Sequence, residues 1–368
     1  MAIIVNATAL NSGGGLTILK QFVKAIPNDD IVYYVFISDS ISFNNPNSNV
    51  QFIEVKLKSF IDRFYWDLFG VSYWIKKNNV KPQASLSLQN TNFRVNTSVP
   101  NFIYFHNALV FNTAQWNIFD KRERTLWFYK NIYPLYIQLS LNKNSYIFVQ
   151  SLYVKQQFSK KFNFPLSKIF VIEPTVEIPE LKRKPCFKGD LTQVNLFYPS
   201  AFLPHKNHKT LFNALCLLDK SIQEMITLNV TISQSALDYL IKNKVYYFKL
   251  NLLGDISLQD VFAIYQVSDA LVFPSFIETV GLPLLEASAL GLPILVSDLE
   301  YSRELLNDYE GVVFIENKDT YSWAKSIERL ISLKNKEFTK YVKYQNKDSW
   351  RYLFDFINNI NLNELERH

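Results

Sequence analysis

Two cysteines, Cys186 and Cys216, are all that occur in 368 residues, and their spacing fits neither a metal site nor a disulfide framework. Long apolar runs are also missing. No stretch of about 18 uninterrupted apolar residues exists, so no segment is expected to cross a bilayer as a helix. Residues 1–10 lack the basic start of a signal peptide and read as a strand. With thiols that suit a reducing compartment, these absences point to a cytoplasmic chain. Sequons such as Asn229-Val230-Thr231 then have no bearing. Glycine is scarce, at nine, yet three glycines are adjacent at 13–15. They do not form the dinucleotide fingerprint G-x-G-x-x-G, and no suitably placed acid follows them. No internal repeat, low-complexity tract or nucleic-acid motif is present, so nucleic acid is not an expected partner.

What is present is enough for two cores. The chain is long for one domain and comfortable for two, and 48% of its residues are hydrophobic. Apolar runs at 2–6, 31–37, 84–88, 101–105, 146–150 and 169–172 read as strands separated by helices. The scheme repeats at 194–198, 227–232, 246–253, 270–273, 293–296 and 312–315. Such alternation predicts α/β domains with parallel sheets covered by helices. The stretch Glu177 to Asp190, with Pro179, Pro185 and Gly189, punctuates rather than folds and reads as a linker.

Charge changes sign across that linker. Residues 1–189 hold 22 Lys and Arg against 11 Asp and Glu, whereas residues 190–368 hold 17 against 22. The basic half carries two aromatic helical candidates. One runs from Phe60 through Trp66 to Lys77, the other from Lys121 through Trp127 to Tyr133. Aromatic and basic residues together suit the surface of an anionic membrane, although core aromatics under a solvated face explain either helix equally well.

The most informative stretch is Pro274-Ser275-Phe276-Ile277-Glu278-Thr279-Val280-Gly281-Leu282-Pro283-Leu284-Leu285-Glu286-Ala287. A buried strand, 269–273, precedes it. A helix from Leu284 to Leu290 follows, entered through Pro283 and left at Gly291. A strand that feeds a helix through a glycine loop offers backbone N–H groups, where phosphate is favoured by orphan donors and the helix dipole. Carboxylates repel phosphate, so Glu278 and Glu286 suit sugar or ribose hydroxyls instead. A nucleotide-activated sugar satisfies both demands. The competing reading is an ordinary strand–turn–helix with solvated glutamates.

The segment resembles the E-x7-E signature of the family 4 retaining glycosyltransferases of bacterial O-antigen and capsular polysaccharide type. That family has the GT-B fold, two Rossmann-like domains facing across a cleft. The resemblance implies an acceptor-side domain at 1–180, a nucleotide-sugar-binding domain at 190–345, and a helix at 346–368 that crosses back to the first domain. Further residues match in part. After the strand 194–198, the loop Pro199 to Asn207 contains His205 and Lys206. Lys206 matches the lysine of the family's diphosphate-binding basic pair, where a charge-assisted contact stabilises the leaving group. The arginine usually found five residues earlier is Ala201 here. His205 or Lys209 then supplies the second positive contact, or binding leans on Lys206 and backbone amides. Gly14 and Gly15 correspond to the family's glycine-rich first βα loop, and His106, after the strand 101–105, to a histidine facing the donor sugar. A flexible turn and a structural histidine are the plain alternatives.

The resemblance implies a donor site made of Gly14, Gly15, His205, Lys206, Glu278, Thr279, Val280, Gly281, Leu282 and Glu286, with Lys206, Glu278 and His106 closest to the chemistry. No Asp-x-Asp occurs in the chain, so neither a metal nor another cofactor is expected. The implied partners are a nucleotide sugar (UDP, GDP or dTDP), a polyprenyl-diphosphate-linked oligosaccharide acceptor, and the anionic inner face of the cytoplasmic membrane. Two other classes share the architecture: a non-catalytic GT-B subunit of a transferase complex, and a GT-B sugar-nucleotide epimerase or phosphorylase.

Overall fold

A computed structural model describes residues 2–365 apart from 44–46, 96–97, 175, 177, 180–192, 243, 335, 337 and 345–348. Most of the linker expected at 177–190, and Cys186 within it, lie outside the described residues. The chain divides into two units. One comprises residues 1–116, 126–173 and 346–368, the other residues 117–125 and 174–345.

The first unit is built on strands β1 (Ala2–Asn6), β2 (Val32–Ser38), β3 (Val50–Val55), β4 (Ala84–Ser87), β5 (Asn101–Phe105), β6 (Ser145–Val149) and β7 (Ile169–Val171). They pair in parallel in the order β3-β2-β1-β4-β5-β6-β7. The central strands are continuous apolar runs because helices cover both faces of a parallel sheet; every residue of β5 is buried. The helix Ser349–Leu365 belongs to this unit. Its Leu353, Phe354 and Ile357 are buried in the same core as Phe22, Tyr33 and Phe148. The Phe354 ring lies 5.5 Å from Phe22 and 5.8 Å from Tyr33, and Phe356 lies 4.2 Å from Phe170.

Three details of this unit differ from the sequence reading. Strand β3 is not among the apolar runs; it is an edge strand with only one fully buried position. The three glycines are not a loop before a helix but the first turn of the helix Gly13–Ala25. Gly13 adopts φ +54°, and Gly15 packs so closely on Leu10 that a Cβ would stand 3.1 Å from its Cδ2. The second aromatic candidate is also divided. Residues 117–125 cluster with the other unit, and the helices are Arg124–Asn131 and Tyr133–Ser140.

The first aromatic candidate forms one continuous helical path: Phe60–Tyr65, a π-helical segment Trp66–Gly70, then Val71–Lys77. Ser59 and Asp62 form a capping box at its start. The wide π turn directs Asp67 inward, where its carboxylate accepts from Asn6 Nδ2 (2.8 Å), Gln89 Nε2 (2.9 Å) and Tyr136 Oη (3.0 Å). Burial pushes that carboxyl up to about 7 despite the three donors.

The second unit contains β8 (Val194–Tyr198), β9 (Ile226–Val230), β10 (Lys249–Leu252), β11 (Ala270–Phe273), β12 (Ile294–Ser297) and β13 (Val312–Ile315). All pair in parallel in the order β10-β9-β8-β11-β12-β13. Counted within the unit this order is 3-2-1-4-5-6, the doubly wound Rossmann arrangement, and the first unit has the same order with one strand added. Such sheets bind ligands beyond the carboxyl ends of the strands where the winding reverses. Here the reversal falls between β8 and β11.

Candidate functional site

The loops that leave β8 and β11 carry Lys206 and Glu278. Their local structure follows from a few residues. After β8, Pro204–Lys206 forms a single 3-10 turn. Asn207, at φ +56°, then reverses the chain into the helix His208–Leu217. Asparagine tolerates this left-handed conformation better than other residues with a side chain. Its side chain is fixed on both sides: Nδ2 donates to Asn317 O, and Oδ1 accepts from Thr210 Oγ1 at 2.7 Å. After β11, Gly281 at φ +83° opens the helix Leu282–Ala289, with Pro283 in its first turn. The helix therefore begins two residues earlier than the sequence suggested. Gly291, at φ +79°, stands two residues beyond its end.

The two loops are fastened to each other. Phe276 N donates to His205 O at 2.8 Å, and Tyr198 Oη donates to Lys206 O at 2.5 Å. Tyr301 Oη donates to Ser275 O at 2.9 Å. Within this frame Lys206 Nζ lies 2.6 Å from Glu278 Oε1, and both side chains are more than four-fifths covered, at 19% and 13% exposure. Ser275 Oγ donates to the same carboxylate oxygen at 2.7 Å. An ion pair this sheltered, with a supporting hydroxyl, holds both groups in one geometry at the mouth of a helix N-terminus.

Glu286 lies on the helix itself, half-buried. Its Oε2 accepts from Tyr265 Oη at 3.0 Å. Burial raises its carboxyl to about 7, while the Tyr265 hydrogen bond pulls the other way. Thr279, Val280, Gly281 and Leu282 form the bend between the two glutamates, with Val280 and Gly281 buried and Thr279 and Leu282 half-buried.

His205 lies beside Lys206 in the same 3-10 turn. It is buried, and loss of hydration together with the neighbouring Lys206 charge lowers its imidazole to about 4. Without a bound anion the imidazole is therefore neutral near pH 7. Lys209 is exposed on the first turn of the following helix, and Ala201 is exposed in the loop.

Three expected residues belong to the first unit. Gly14 and Gly15 are in the opening turn of Gly13–Ala25. His106 follows β5, with its backbone N–H donating to Asn90 Oδ1 at 2.7 Å. Its Nε2 stands 2.9 Å from Leu88 O, and since a carbonyl only accepts, Nε2 carries the proton. Desolvation lowers this imidazole to about 4, so it too is neutral near pH 7. The structure thus brings Lys206 and Glu278 into contact and sets Glu286 on the adjoining helix.

The sequence pattern alone singles out neither Ser275 nor Tyr265. Ser275 was legible in principle, three residues before Glu278 in the same string. Tyr265 ends the helix Leu258–Tyr265, and nothing in the sequence ties it to Glu286. Among the described residues no group of three or more His, Cys, Asp or Glu could hold a metal ion.

Two Rossmann-like parallel-sheet units, the second with its paired loops at the reversal of winding, define the fold of the GT-B glycosyltransferases. Residues 187–348 match the family described as Glycosyl transferases group 1, so the second unit carries a domain of that type. The chain is similar to the O-antigen chain mannosyltransferase RfbU of Salmonella typhimurium, with 24% identity over 219 residues. That match covers 59% of this chain and 60% of the relative's length. Among solved structures, sucrose-phosphate synthase from Thermosynechococcus elongatus superposes with a TM-score of 0.69 at 14% identity, covering 100% of this chain and 98% of the other. Anabaena HepE, solved in complex with UDP and glucose, superposes with a TM-score of 0.66 at 15% identity, with 100% of both chains covered.

Proposed function

We infer that the chain is a retaining, metal-independent glycosyltransferase of family 4. It moves a hexose from a nucleoside-diphosphate sugar to a polyprenyl-diphosphate-linked oligosaccharide during assembly of a bacterial surface polysaccharide. The observation that carries this reading is the sheltered Lys206–Glu278 pair beside the helix N-terminus opened by Gly281. A lone surface lysine would be solvated. Here a cation and a carboxylate are held together in the loops that leave β8 and β11, and the second loop runs into a helix N-terminus, which suits a sugar diphosphate. The O-antigen name of the relative supports the pathway class and makes mannose the first donor sugar to test. The UDP bound to Anabaena HepE supports a nucleotide donor.

In this reading Glu286 accepts from the ribose hydroxyls. Glu278 holds the donor sugar, and the bend Thr279–Leu282 faces its β-phosphate. An acceptor hydroxyl attacks the anomeric carbon on the face the diphosphate leaves. The new C–O bond forms as the sugar–phosphate bond breaks, and the proton passes to the departing phosphate oxygen. Lys206 and the helix dipole stabilise the negative charge that develops there. Work at the inner face of the cytoplasmic membrane is supported by Phe60, Ile61, Tyr65 and Tyr73, exposed at 48%, 76%, 65% and 68%, beside exposed Lys76 and Lys77. No helix among the described residues is long and apolar enough to span a bilayer.

The test is transfer from UDP-, GDP- and dTDP-hexoses to lipid-linked oligosaccharide extracted from bacteria, with and without EDTA. The expected product keeps the donor's anomeric configuration by NMR, forms equally in EDTA, and is lost with Lys206→Ala. An inverted anomer or an absolute metal requirement would overturn the mechanism.

A further inference from the structure

The first unit holds a groove that the reading above does not use. Between β4 and β5 the chain forms no helix among the described residues; residues 88–95 run as irregular backbone. The place a helix would fill, between Val71–Lys77 and Tyr133–Ser140, is an open groove of about 920 Å³. Phe93 forms its buried floor, and Phe64, Ile75 and Leu139 form apolar walls. Leu139 is 84% exposed, which is unusual for a leucine on a lined cavity and marks a wall without a partner.

The groove is charged as well as apolar. Lys76, Lys81 and Arg94 line it, all three are exposed, and none takes part in an ion pair among the described residues. The single acid lining it is Asp67, whose carboxylate is already engaged by Asn6, Gln89 and Tyr136. Three unpaired cations beside a trough of aliphatic and aromatic side chains complement a molecule with one anionic end and one hydrocarbon end.

We propose that this groove binds a single anionic phospholipid drawn from the membrane, its chain along Phe64, Ile75, Phe93 and Leu139 and its phosphate among Lys76, Lys81 and Arg94. The inference deepens the membrane reading above and rests on it for the source of the lipid. A lipid held in a groove, unlike adsorption to a surface, orients the first unit about a fixed point.

The experiment uses the full chain and two probes. Calorimetry with monomeric dihexanoyl phosphatidate reads the groove, with dihexanoyl phosphatidylcholine and inorganic phosphate as controls. Flotation with phosphatidylglycerol vesicles reads the membrane. Phosphatidate is expected to bind at least tenfold more tightly than either control. Binding should weaken tenfold or more in Leu139→Asp and in the combined Lys76→Ala, Lys81→Ala, Arg94→Ala variant. All four positions are exposed, so unchanged melting temperatures will show intact folding. Phe119→Asp, 88% exposed on the other unit, should leave phosphatidate binding unchanged. Equal binding of inorganic phosphate, or phosphatidate binding that survives the groove variants, overturns the proposal. Vesicle flotation without phosphatidate binding overturns the groove alone, and absence of both overturns the membrane reading with it.

Discussion

Glu286 joins two demands that work against each other. In the proposed reading it accepts from ribose hydroxyls as a carboxylate, yet its burial raises it from 4.5 to about 7. The folded chain therefore holds a proton that the unfolded chain releases from about pH 4.5 upward. Stability contributed by the protonated form is lost as pH rises through that window and is flat above it. Asp67, raised from 3.8 to about 7, adds to the same slope. A ligand that needs the carboxylate has the opposite dependence, binding more weakly as pH falls below about 7. Glu286→Gln should reduce the fall in melting temperature between pH 5 and pH 8 and remove the pH dependence of nucleotide affinity. Melting curves and titrations at both values check this; an unchanged affinity profile would show that Glu286 does not meet the ligand. Both glutamates were legible because they sit in one string with a glycine and a proline. Tyr265, which sets the environment of Glu286, is 21 residues away on another helix and left no trace in that string.

At the scale of elements, the strands were legible because buried parallel strands are uninterrupted apolar runs: β5 and β8 are buried at every position. Strand β3 escaped because an edge strand alternates with solvent and its sequence, Val50–Val55, includes Gln51 and Glu54. The π-helical segment Trp66–Gly70 was not legible either, since one widened turn changes no composition. Its requirement shows only in packing. A Cβ on Gly70 would stand 2.2 Å from Cε3 of Trp66, so the indole occupies the space that any side chain would need. Gly70→Ala should displace Trp66 from its contact with Phe36, 5.3 Å between rings, and lower stability by ~1–3 kcal/mol, measured by denaturant unfolding. Gly281→Ala is a different case. Its φ of +83° disfavours any side chain, and the added Cβ would meet Leu284 Cδ1 at 3.2 Å. The expected result is a modest loss of stability with a larger loss of nucleotide affinity, because the strain falls on the bend between the two glutamates.

Across the whole molecule, sequence order and structural unit part company twice. Residues 117–125 lie in the first half of the chain but cluster with the second unit. Arg122 is held bidentately by Asp120 and lies 3.8 Å over the ring of Tyr239. A charge-rich segment such as Lys121–Arg124 reads as a solvated helix in sequence, and only the fold supplies the aromatic partner. The terminal helix makes the converse excursion, with Phe354 and Phe356 completing the aromatic core around Phe22, Tyr33 and Phe170. Phe354→Ala should cost ~3–5 kcal/mol through transfer and cavity terms. In the proposed reading the nucleotide is held by the other unit, so its affinity should not change. Parallel unfolding and binding measurements separate the two effects.

Lys206, Glu278 and Glu286 are proposed to form a nucleotide-sugar site. Thermal stabilisation by UDP, GDP, dTDP and their hexoses, with and without EDTA, tests it most directly. A ligand at 100-fold over its dissociation constant adds ~2.7 kcal/mol to stability. One nucleotide is expected to raise the melting temperature, EDTA to leave the shift intact, and Lys206→Ala and Glu286→Ala each to reduce it. No shift with any nucleotide, or a shift that both variants keep, would contradict the site and favour a subunit that acts only within a larger transferase complex.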